Sequence, residues 1–174
     1  QGSVRHEESQ ELATRVNVIG VDSRFKAIHP VLPLGEIGAR ETRINQALAR
    51  ELGAGVGDSL LVYFELLSDI PREHALGSRQ SAAERIKLEV VSVEPDSGPG
   101  IFDLKVQQET PRNIFVSLER LQKELGREGE VNSMVACASG EGAPETAELE
   151  AALRESLQLA DIGVKLRSSP GLGY

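Results

Sequence analysis

The tightest constraint on this chain lies between residues 42 and 67, where a short amphipathic helix runs into a strand with almost no connection. Ile44, Leu48 and Leu52 recur at four-residue spacing, which predicts a helix over residues 42–53. Asn45 has the side chain to cap it, and Gly53 can close it in the left-handed conformation. Gly55 and Gly57-Asp58 then turn the chain into residues 59–67, whose apolar residues on both faces predict a largely buried strand. A helix joined so closely to a strand must pack against the sheet that strand belongs to. The core has to be aliphatic, because Trp is absent and aromatic residues make up only 3% of the chain. At 174 residues the chain suits one globular unit, or two small subdomains sharing a core.

Other elements follow from local pattern. Val16, Val18 and Val21 mark a β-branched strand, in which Gly20 signals a bulge or a close backbone approach. Residues 4–14 are polar and read as a frayed lead-in or a short helix. Residues 68–85 form a polar excursion joining two strands, and Ile86, Leu88, Val90 and Val93 resume a strand. Short strands are expected at residues 101–106, 114–116, 131–138 and 162–166. Ser117 can cap a helix closed by Gly126, and a last helix after Pro144 carries Leu149, Leu153 and Leu157. The expected fold class is α+β, a mixed sheet packed on a few short helices.

Composition excludes several functions. Lys and Arg number 19 against 27 Asp and Glu, a formal charge of −8, which opposes a non-specific nucleic-acid binder. No apolar run approaches the ~20 residues of a membrane span. One cysteine, Cys137, excludes an internal disulfide, and its apolar neighbours predict a core thiol rather than a nucleophile.

The glycine-rich stretch 53–59 follows a helix and opens a strand, the reverse of a phosphate loop, and Asp58 stands where such a loop places its lysine. Ser23-Arg24-Phe25-Lys26 matches Ser-x-x-Lys but lacks the accompanying Lys-Thr-Gly motif, so an exposed turn is expected. His6, His29 and His74 are scattered and read as surface imidazoles, with no metal-ligand pair among them. No catalytic, cofactor-binding or metal-binding residue is assigned, and no cofactor or enzymatic activity is expected.

Several strings together resemble one family. Residues 16–22 (Val-Asn-Val-Ile-Gly-Val-Asp) look like the strand opening the extracytoplasmic domain of MacB/FtsX-type ABC transporter permeases. Residues 44–53 through Val56-Gly57-Asp58 are similar to that family's helix and turn, and residues 88–93 to its following strand. Residues 111–122 look like its strand-to-helix step, and Val131-Asn132 like the start of its next strand. The likeness spans residues 16–166.

The resemblance implies a porter-like α/β part with an inserted sabre-like part. The implied layout is a polar lead-in at 1–15, begun by an expression-derived Gln1-Gly2-Ser3, and a domain at 16–167 with an insertion near 68–85. A tail at 168–174 would lead toward a transmembrane helix. It also implies a membrane protein whose domain lies on the extracytoplasmic side, moved by a cytoplasmic ATPase. The partners implied are that ATPase, a second permease copy, and exported cargo or an outside partner, with no nucleic acid. Phe102, Ile114 and Phe115 are the candidates for a contact face, against ordinary core packing. The competing expectations are a soluble β-barrel-like module binding a ligand or nucleic acid, and a small hydrolase using Ser23 or Cys137.

Overall fold

The computed structural model describes residues 1–28, 35–64, 84–104, 108–135, 145–158 and 161. Six strands carry the architecture: β1 (Gly2–His6), β2 (Leu12–Val21), β3 (Glu41–Asn45), β4 (Ser59–Phe64), β5 (Glu84–Glu94) and β6 (Asn113–Ser117). They close into a barrel in the order β1-β2-β6-β3-β5-β4, with β4 returning to β1. Pairs β2–β6 and β3–β5 are parallel, and the other four are antiparallel. Three helices accompany them among the described residues: α1 (Gln46–Leu52), α2 (Leu118–Glu124) and α3 (Thr146–Ser156).

The chain divides into two units, residues 1–135 with the barrel and residues 136–174 with α3. In the second unit, α3 keeps Leu149, Leu153 and Leu157 about half exposed.

Alternation explains the barrel's interior. Leu60, Val62 and Phe64 of β4 point inward, and so do Ile86, Leu88 and Val90 of β5, in the register Leu60↔Leu88 and Val62↔Ile86. Val4, Ala13, Val16, Ile44, Ile114 and Val116 join them, and α1 adds Leu48, Ala49 and Leu52 to the same cluster. On β6 the alternate residue Phe115 is also fully buried, covered by Phe25 with ring centroids 6.0 Å apart. Phe25 in turn meets Phe102 edge-on at 5.4 Å. The close approach anticipated at Gly20 is real: a methyl there would lie 3.0 Å from side-chain carbons of Leu118 and Leu121 at the start of α2.

One side chain joins these parts. Asn45 ends β3 and caps α1, its Oδ1 accepting from the Leu48 amide at 3.1 Å and the Asn113 amide at 3.0 Å. Its Nδ2 donates to the carbonyls of Gly100 at 3.0 Å and Pro111 at 2.6 Å. Both acceptor sites and both donors of this fully buried amide are used. Asn113 repeats the device, donating to the carbonyls of Gly100 and Phe102 and accepting from Asn17.

The expected architecture is corrected by these findings. A closed mixed barrel stands in place of an α+β layer with porter-like and sabre-like parts. Residues 42–45 are strand, not the first turn of a helix, because Asn45 starts α1 by capping rather than from within it. The polar residues 4–14 are neither frayed nor helical: they complete β1, turn, and begin β2. Ile101 ends a 3-10 turn (Gly98–Ile101) and residues 102–104 are irregular instead of forming a strand, residues 131–135 are irregular and exposed, and the remainder of both expected strands lies outside the described residues. The helix cap at Asn45, the left-handed Gly53 (φ 61°), the Ser117 cap and the antiparallel pairing across the excursion agree with expectation. Of the excursion expected at 68–85, residues 84 and 85 already belong to β5, and the rest lies outside the described residues, as does the strand expected at 162–166.

Asn45→Ala is expected to cost at least about 3 kcal/mol, since it strands two buried amides and two carbonyls. Urea unfolding of the variant beside the parent chain checks this.

Candidate functional site

The residues singled out for chemistry do not assemble into a reacting site. Ser23 lies in an exposed 3-10 turn (Ser23–Ala27) whose cap is Asp22, and Lys26 is exposed in the same turn. The Asp22 carboxylate accepts from the Arg24 side chain at 2.9 and 2.6 Å and from the Arg24 amide at 2.9 Å. Those bonds, the side-chain ones foremost, hold Asp22 below the usual carboxylate range. The Ser-x-x-Lys string is therefore a capped turn. His29, His74 and Cys137 lie outside the described residues.

His6 does not behave as expected. Far from being a surface imidazole, it is 4% exposed, on the inward side of β1 at the mouth of the hairpin. The sequence signal was faint: in Val4-Arg5-His6 alternation puts His6 on the face of Val4 once the segment is a strand. Of the contact candidates, Ile114 and Phe115 are fully buried and Phe102 is half-buried, which is core packing. Asp58 stabilises the turn ahead of β4 by accepting from the Gly55 amide at 2.7 Å.

A polar concavity among the described residues lies beside the start of β2. Gln1, Arg15, Asn17, Glu109, Thr110, Pro111 and Arg112 line a shallow dent. Arg15 enters it from a bulge: between the pairs Gly2↔Val16 and Val4↔Ala13 the β2 strand carries an extra residue, and Arg15 adopts φ 55°. Asn17 is already engaged with Asn113 at 3.1 Å and Asp103 at 3.2 Å, and Arg112 pairs with Glu51. The dent brings an exposed arginine beside amides and a carboxylate. Thr110 adds a hydroxyl, and the whole is a polar contact surface.

Larger apolar side chains exposed on the barrel unit include Val56, Ile101, Leu104, Val131 and Met134. No helix among the described residues is long and apolar enough to cross a membrane. No protein-family model matches the chain, and no curated protein matches it significantly.

The bulge gives a direct prediction. Arg15→Gly is expected to leave stability unchanged or slightly raised, whereas Arg15→Val is expected to lower it by about 1–2 kcal/mol through left-handed strain. Thermal unfolding of the pair measures the difference.

Proposed function

We propose that this chain is a non-catalytic extracytoplasmic domain of an ABC transporter permease. In this reading it couples ATP-driven motion of transmembrane helices to the export of cargo or to a partner outside the cytoplasm. The observation that carries the proposal is where the resembling strings fall. They occupy β2, β6 with α2, the end of β3 with α1, β5, and the turn into β4. Four strands, β2-β6-β3-β5, are thus covered, together with the turn ahead of β4, while Val131-Asn132 falls in an irregular, exposed segment.

The physical character of the barrel fits such a role. Its interior is filled with aliphatic side chains, and the Asn45 and Asn113 amides are spent on holding backbone together. That makes a stiff body, suited to passing on displacement without reacting. The closed barrel replaces the porter-and-sabre architecture in this reading. A cytoplasmic ATPase, a second permease copy and an external partner or cargo are the proposed associates.

The full reading frame is expected to place apolar spans of ~20 residues on both sides of this domain. A phosphatase fused after Glu128 is then expected to be active only when the domain lies outside the cytoplasm. A frame free of such spans, or an inactive fusion, overturns the proposal.

A second reading has one observation in its favour. Small closed barrels of short strands also serve as ligand- or oligonucleotide-binding modules. The charge of −8 counts against the nucleic-acid version. Retention of single-stranded oligonucleotide at low salt, falling steeply as salt rises, is the result that favours it; the expected result is no retention.

A further inference from the structure

The buried His6 has one ring nitrogen committed and one without a hydrogen bond. Nδ1 lies 2.8 Å from the Ser9 hydroxyl, and that hydroxyl donates its only proton to the Leu52 carbonyl at 3.3 Å. Nδ1 therefore carries a proton, donating to Ser9, and in the tautomer with that single ring proton Nε2 presents a lone pair. Nε2 is fully shielded from solvent and makes no hydrogen bond. It faces Asp58 Oδ2 at 3.5 Å, so a lone pair confronts a carboxylate oxygen. Glu8 brings a second carboxylate, and one donor atom from each of the three residues lies within 4.8 Å of the others. Two carboxylates and an imidazole lone pair converging on one point call for a cation between them.

We propose that His6, Glu8 and Asp58 form a binding site for a divalent transition-metal ion of the zinc type. The spacing fits. Ligand bonds of about 2.0–2.1 Å in a tetrahedron put neighbouring donor atoms about 3.4 Å apart, and His6 and Asp58 already stand at 3.5 Å. Glu8 is exposed at the hairpin turn and free of the packing that fixes the other two, so its carboxylate swings in to complete the set. The nitrogen donor selects zinc-like ions over calcium or magnesium, which take oxygen.

The surroundings match what a metal-bound imidazole requires. The second nitrogen is oriented by Ser9 and, through it, by the end of α1. Asp58 is positioned by the Gly55 amide, which donates at 2.7 Å to the same Oδ2 that faces His6 and leaves that oxygen a second lone pair. Three protein ligands leave a fourth position open to water or to a donor from another molecule. Bound metal would tie the β1–β2 turn to the turn preceding β4. The inference is independent of the permease reading.

The test uses the whole chain, dialysed against chelator and titrated with zinc chloride by calorimetry. One zinc per chain is expected, together with a raised Tm. Glu8→Gln, a surface change that leaves the fold intact, is expected to weaken binding by at least about tenfold, and His6→Asn by more. Cobalt(II) in place of zinc is expected to give the visible bands of a tetrahedral nitrogen–oxygen site without a thiolate charge-transfer band, separating this site from Cys137. No saturable binding overturns the proposal, as does binding unchanged by Glu8→Gln or a cobalt spectrum with thiolate character. If His6→Asn does not fold, the Glu8 variant and the cobalt spectrum decide.

Discussion

The saturated amide of Asn45 is the interaction on which the barrel depends. At this point the chain passes from β3 to α1 without a loop, while β6 begins alongside and the connection after β5 folds over both. Each of these segments brings backbone groups that no ladder or helix satisfies. Asn45 takes one amide from the helix, one from β6 and two carbonyls from the connection. In a low-dielectric interior such a group is either fully partnered or a heavy liability, so the local geometry is set narrowly. Asn113, one step further, holds the Gly100 and Phe102 carbonyls and passes the network on to Asn17. Gly100 itself allows no side chain, since a methyl there would lie 1.9 Å from the Pro95 carbonyl oxygen. An irregular connection is thereby fixed without regular secondary structure.

Local signals in the sequence were legible where a single residue type has one physical use. Asn45 and Ser117 as caps, Gly53 as a left-handed terminator, and Gly20 as a close approach belong to that class. What was not legible depended on partners distant in the chain. The Ile44–Leu48 spacing looks helical, yet Ile44 belongs to a strand because β5 and β6 pair with β3 on either side. Residues 2–6 are too polar to announce a strand alone, and become one because β2 and β4 flank them. Closure into a barrel is a property of register across all six strands, and no window of sequence carries it.

The same argument applies to the candidate site. In the sequence no histidine has a neighbour that resembles a ligand pair. His6 meets Asp58 only because β1 and β4 run antiparallel with His6 opposite Leu60, which brings the turn before β4 alongside. The contrast with the asparagines is instructive. Asn45 and Asn113 are buried polar groups fully used by the backbone, whereas His6 Nε2 is buried and makes no such bond. Polar groups of the first kind build a fold, and it is the two carboxylates beside His6 that set it apart from the other buried nitrogens without a hydrogen bond, Arg43 Nε and Arg120 Nε.

The position of β6 has a consequence for how the chain acquires its structure. Five residues about two-thirds of the way along the sequence separate β2 from β3, pairing parallel with one and antiparallel with the other. Until they arrive, the strands already synthesised have two open edges and no closed interior. Without β6 the row β2-β1-β4-β5-β3 is an open sheet whose apolar face is not yet enclosed. Folding is set by a late, long-range event, slow relative to helical domains of similar size. During synthesis the barrel becomes a stable object only after Ser117 has left the ribosome, and a nascent chain halted before that point is a ready substrate for chaperones or for aggregation.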